Sequence, residues 1–133
     1  MEKDVLEALI KILKNEDKIS VAYLFGSKAK GTNTSTSDFD IAVLLSETPT
    51  KLLDYYLHLN NKLCGILGDN VDLIILNVAP PMLKHHVIKH GKIIYSRSEK
   101  ARIMFEAKAE NEYLDFSIAL KRYDECLMKQ ILT

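Results

Sequence analysis

The chain has 133 residues, about 15.1 kDa, with 47% apolar and 27% charged residues, which suits one soluble globular domain and leaves little room for disorder. Eighteen basic residues balance eighteen acidic ones, and this argues against a protein that wraps nucleic acid. No apolar run approaches the roughly 18 residues that span a bilayer, and Met1-Glu2-Lys3-Asp4 lacks the apolar core of a signal peptide. Cys64 and Cys126 show no metal-like spacing and read as reduced packing thiols, so the expected location is the cytoplasm.

In chain order, Val5, Leu6, Leu9, Ile12 and Leu13 recur at helical spacing and predict an amphipathic helix over 3–14. Ile19–Phe25 is a compact β-branched and aromatic run, a buried strand ending at Gly26. Residues 31–37 are small and polar and read as a loop. A second strand is expected over Asp38–Leu45, followed by a turn with Pro49. A helix over 51–67 would bury Leu52, Tyr55, Tyr56, Leu59, Leu63 and Ile66. Val71–Leu76 reads as a third strand, and Pro80-Pro81 opens a short helix closed by Gly91. Residues 92–95 form a fourth strand, and Ser96-x-x-Glu99 has the spacing of a capping box opening the last helix. Strands alternating with helices, two of them apolar on both faces, predict an α/β (α+β) domain whose small mixed sheet is flanked by helices.

The chemistry is concentrated in Gly26-Ser27 and, ten residues on, Asp38-Phe39-Asp40. Gly26 lets the backbone turn closely at a strand end, and Ser27 offers backbone N–H groups and a hydroxyl to phosphate. Asp38 and Asp40 stand two apart on a strand, so both carboxylates share a face. Two acids so close repel unless a cation or proton lies between them, and hard oxygens favour Mg²⁺. Asp72 is an acid inside an apolar strand; should that strand lie beside the second, it reaches the same place. Three carboxylates, one or two Mg²⁺ and a phosphate cradle are the equipment of two-metal nucleotidyl transfer. The plainer alternative is a Gly-Ser turn, an Asx-rich strand cap and a solvent-facing Asp72.

These residues resemble the signature of the DNA polymerase β-type nucleotidyltransferase superfamily. Nearly the whole chain is similar to its minimal nucleotidyltransferases (MNT), through GSKAKGTNTSTSDFDIAVLL, LNVAPPMLKHHVIKHGKIIY and EYLDFSIALKRY. It looks closest to MNT antitoxins paired with HEPN-domain ribonuclease toxins. The resemblance implies a polymerase β-like fold and transfer of AMP from ATP to a toxin tyrosine. It also implies that Asp38, Asp40 and Asp72 are metal ligands, that Asp72 is the base for the acceptor hydroxyl, and that Gly26 and Ser27 bind the ATP phosphates. Lys28 and Lys30 stand where members often carry arginine, which would give phosphate a point charge rather than a bidentate fork. Two rivals are transfer to a small hydroxylated molecule, and a steric antitoxin without chemistry.

Other features have plainer readings. His86 and His90 have a metal-ligand spacing but no companion acid or thiol, and suit the dipole of a helix C-terminus. Ser35, Thr36 and Ser37 read as loop. The tail differs: Phe105, Ala109, Tyr113, Phe116, Leu120, Tyr123, Leu127 and Ile131 make one continuous stripe. A helix over 97–131 would be about 50 Å long, against a radius of gyration near 14 Å for a compact domain of this size. It therefore breaks near Asn111 and folds back, or projects toward a second copy or another protein. The organisation expected is a nucleotidyltransferase domain over 1–96 and a helical tail over 97–133, the tail being part of that domain or a partner interface. Seven basic and seven acidic residues in the tail make nucleic acid a poor partner for it.

Overall fold

The computed structural model describes residues 2–25, 39–68 and 71–132. Gly26, Ser27, Lys28, Lys30 and Asp38, together with the loop over 31–37, lie outside the described residues.

Four strands and four α-helices are described: α1 (Glu2–Asn15), β1 (Ile19–Phe25), β2 (Phe39–Leu45), α2 (Leu52–Leu67), β3 (Val71–Ile75), α3 (Pro81–His90), β4 (Lys92–Ser96) and α4 (Glu99–Leu132). The expected third strand stops one residue early, and Leu76–Val78 make a 3₁₀ turn. The strand order is β3-β2-β1-β4. β1 pairs antiparallel with β2 and β4, and β2 pairs parallel with β3, so the sheet is mixed. Among the described residues no helix is long and apolar enough to cross a membrane.

Helices cover both faces of the sheet, which is why the central strands β1 and β2 carry apolar residues on both sides. On one face Leu9 and Leu13 of α1 and Tyr55, Leu59 and Leu63 of α2 pack on Ile19, Ala22, Ile41, Val43, Leu73 and Ile75. On the other, Leu76 and Val87 pack on Val21, Tyr23, Phe25 and Ala42, with Leu83 and Phe105 against them. A bulge between Ile19 and Val21 shifts the alternation, so Ile19 and Ala22 share the first face while Val21 and Tyr23 share the second. Each fully buried aliphatic side chain contributes about 1.5–3 kcal/mol relative to exposure. Ile66 departs from its expected burial and is 41% exposed.

Two side chains tie off the strand ends. The Asn77 amide forks onto Leu45: the Leu45 N–H donates to Oδ1 at 2.8 Å, and Nδ2 donates to the Leu45 carbonyl at 3.0 Å. The Arg97 guanidinium donates to the carbonyls of Asp17 and Glu16, closing the exit of α1.

The expected capping box is displaced by two residues. Ser96 is still in β4, paired with Val21, so it cannot cap. Ser98 does so instead, its Oγ accepting the Ala101 N–H at 3.2 Å, and Glu99 becomes the first helical residue. α4 then runs unbroken for 34 residues, about 50 Å, with no break at Asn111. Its first half lies on the sheet and α3. Tyr23 Oη donates to Glu106 at 2.8 Å, and Arg102 bridges Glu106 and Glu99 at 2.9 and 2.6 Å. His85 pairs with Glu110 at 3.0 Å and stacks on Tyr113 with ring centroids 3.8 Å apart, while Lys84 meets Glu112. From Ile118 to Leu132 every residue is exposed, so the second half projects.

Candidate active site

The parallel pairing of β2 and β3 does what the sequence left open. Asp40 and Asp72 are register partners on adjacent strands. Asp40 lies two residues from Ala42, and Asp72 two from Ile74, so both acids share the face that α3 and α4 cover. Neighbouring strands run about 4.8 Å apart, which brings the two carboxylates within reach of one cation. Phe25, the last residue of β1, is the cross-strand partner of Asp40 on its other side. The C-terminal end of β1 and the N-terminal ends of β2 and β3 therefore meet at one corner of the sheet.

Burial differs between the two acids. Asp40 is half-buried and held by its neighbours, whereas Asp72 is exposed on the edge strand. An acid at a sheet edge can meet both a cation and an incoming group, which fits the hard-oxygen donor set that Mg²⁺ prefers. Among the described residues no group of three or more potential metal ligands assembles. Asp38, the third expected carboxylate, and the phosphate-binding candidates Gly26, Ser27, Lys28 and Lys30 all fall outside them. Of the sequence-derived site, the structure therefore places Asp40 and Asp72 and joins them.

Two histidines sit nearer this corner than their sequence pattern suggests. His86 packs its ring edge-on to Phe25 with centroids 6.3 Å apart, and His90 lies 4.8 Å from His86. The tight turn that ends α3 requires Gly91, where a Cβ would meet the Val87 carbonyl at 2.5 Å; toward β1 it would make only ordinary contact, with Phe25 Cβ at 3.5 Å. No spacing rule links Phe25 to His86; the link is made by how α3 returns across the sheet.

A three-layer domain with paired acids on the adjacent strands β2 and β3 is the frame of a nucleotidyltransferase. The family described as Polymerase beta, Nucleotidyltransferase matches residues 7–100, and the chain belongs to that family. Within it, the protein adenylyltransferase MntA of Shewanella oneidensis is 36% identical over 92 residues, covering 68% of this chain and 65% of that protein. The matched segment thus spans just under two thirds of this relative's length. Among solved structures, a chain of a toxin–antitoxin complex with AMP-PNP superposes with a TM-score of 0.71 at 28% identity, over 96% of this chain and 98% of that one. A chain of the complex of tri-AMPylated Shewanella oneidensis HEPN toxin with MNT antitoxin gives a TM-score of 0.68 at 26% identity, over 100% of both.

Proposed function

We propose that this chain transfers AMP from ATP to a tyrosine hydroxyl of a HEPN ribonuclease toxin and acts as the antitoxin of that pair in the cytoplasm. The observation that carries the reading is the register pairing of Asp40 with Asp72 on the sheet corner that β1 also reaches. The family supports nucleotidyl transfer, and the similarity to a protein adenylyltransferase and to the antitoxin of a complex with AMPylated HEPN toxin supports AMP as the group and a HEPN toxin as the acceptor.

Asp38, Asp40 and Asp72 would hold one or two Mg²⁺, which would neutralise triphosphate charge as transfer proceeds. Gly26 and Ser27, aided by Lys28 and Lys30, would cradle the phosphates. Asp72, exposed at the edge, takes the proton of the acceptor hydroxyl. The hydroxyl oxygen forms a bond to the α-phosphorus as the bond to the β-phosphate bridging oxygen breaks, and pyrophosphate leaves. A phenol with an ordinary pKa near 10 needs such help at neutral pH. The exposed half of α4 would supply toxin contacts. Transfer to a small hydroxylated molecule has less support, since the relative and neighbours described above are a protein adenylyltransferase and chains of toxin–antitoxin complexes.

The test is incubation with α-labelled ATP, Mg²⁺ and the cognate toxin. Label should appear on the toxin and fall at least a hundredfold with Asp40→Asn or Asp72→Asn. Full toxin inhibition by an unlabelling Asp40→Asn protein would instead establish a steric antitoxin.

A further inference from the structure

β3 is an edge strand, and no other described strand pairs with its outer side. Natural proteins blunt such edges with charges, prolines or a covering element. Here the only charge on β3 is Asp72, at its beginning, and the rest reads Leu73-Ile74-Ile75. Apolar walls rise on both sides of this edge. Leu53 and Tyr56 of α2 stand on one, and Val78, Ala79 and Leu83 on the other, around a cavity of about 410 Å³. The wall tops are open to solvent, with Leu53 68%, Val78 56% and neighbouring Met82 59% exposed.

We propose that this groove docks the acceptor segment itself, apart from the contacts made by α4: the acceptor protein lays an extended apolar segment along β3 and so delivers its hydroxyl to Asp72. The proposal rests on the adenylyltransferase reading above. Three features select this occupant. An open sheet edge offers main-chain hydrogen bonds to extended backbone, whereas a helix has none to give. Flanking walls on both faces of the edge match a segment whose side chains alternate between two sides. The groove is continuous with the reacting corner, because its floor and Asp72 belong to one strand. Asp72 and Asp40 together disfavour an acidic residue beside the acceptor hydroxyl.

Leu53→Glu and Val78→Glu place charge on the exposed walls without touching the core. Labelled AMP transfer measured against toxin concentration should show KM for the toxin raised at least tenfold, with KM for ATP within twofold of wild type and an unchanged melting temperature. A photo-crosslinking benzoylphenylalanine at Val78 should capture the toxin, and the same group at the exposed Lys108 should not. An unchanged KM for the toxin, or a toxin complex that forms without crosslinking at Val78, overturns the docking surface. Crosslinking at Val78 without label on the toxin sustains the surface and removes the adenylyl-transfer reading. Absence of both label and crosslink removes both.

Discussion

From Glu99 to Tyr113, α4 lies against the sheet and α3, with Ala109 1% exposed and Glu106 bonded to a phenol of β1. From Leu114 onward the same stripe continues, yet Phe116 is 39%, Tyr123 63% and Ile131 68% exposed. Nothing in the helix itself marks the change. The repeat, the propensities and the charge balance carry on, and only the extent of the domain beneath them ends. Helix formation and helix burial are therefore separate properties here: local sequence gives the first, and the reach of sheet and α3 gives the second.

The largest expected contrast between the halves is in stability. Phe105→Ala removes an aromatic packed against the second core face and should cost about 2–4 kcal/mol. Leu120→Ala, at 46% exposure, should cost under about 0.5 kcal/mol in the isolated chain. Urea unfolding of both variants checks this, and equal losses would mean that the far half is packed in solution.

A smaller effect is expected at high pH. Burial, and then the hydrogen bond to Glu106, pushes the Tyr23 phenol well above the ordinary phenol range; burial and Glu16 do the same to Tyr55. The folded chain then keeps protons that the unfolded chain releases above about pH 10. Stability should be level below that pH and fall as pH rises beyond it. Tyr23→Phe should flatten the fall, as thermal melts between pH 9 and 11.5 would show. The smallest effect belongs to Glu110→Gln, which breaks a partly exposed pair with His85 and should shift stability by about 0.5 kcal/mol or less. A larger loss would mean that the stack of His85 on Tyr113 depends on that charge.

Much of this was legible in the chain. The strands and helices follow from apolar period, and the face that Asp40 takes, opposite Phe39 and Ile41, from alternation. The neighbour relation of β2 and β3 was not, because residues 32 positions apart meet through topology rather than spacing. The groove was invisible for a similar reason: Leu53 and Val78 look like ordinary helix and turn residues until β3 proves to be an edge. The Ser98 cap was missed because the Ser96-x-x-Glu99 spacing ignores how far β4 extends.

The Asn77 fork on Leu45 bears on more than the end of a strand. Val43 faces Ile75 just before that clamp, and the same ladder runs back through Asp40 and Asp72 to Phe39 and Val71. A slip of one residue between β2 and β3 would keep every apolar residue in a strand yet turn Asp72 to the opposite side of the sheet. A neutral amide at the far end of the ladder thus works as a stop against which the strands are indexed, and it decides which side chain arrives opposite Asp40.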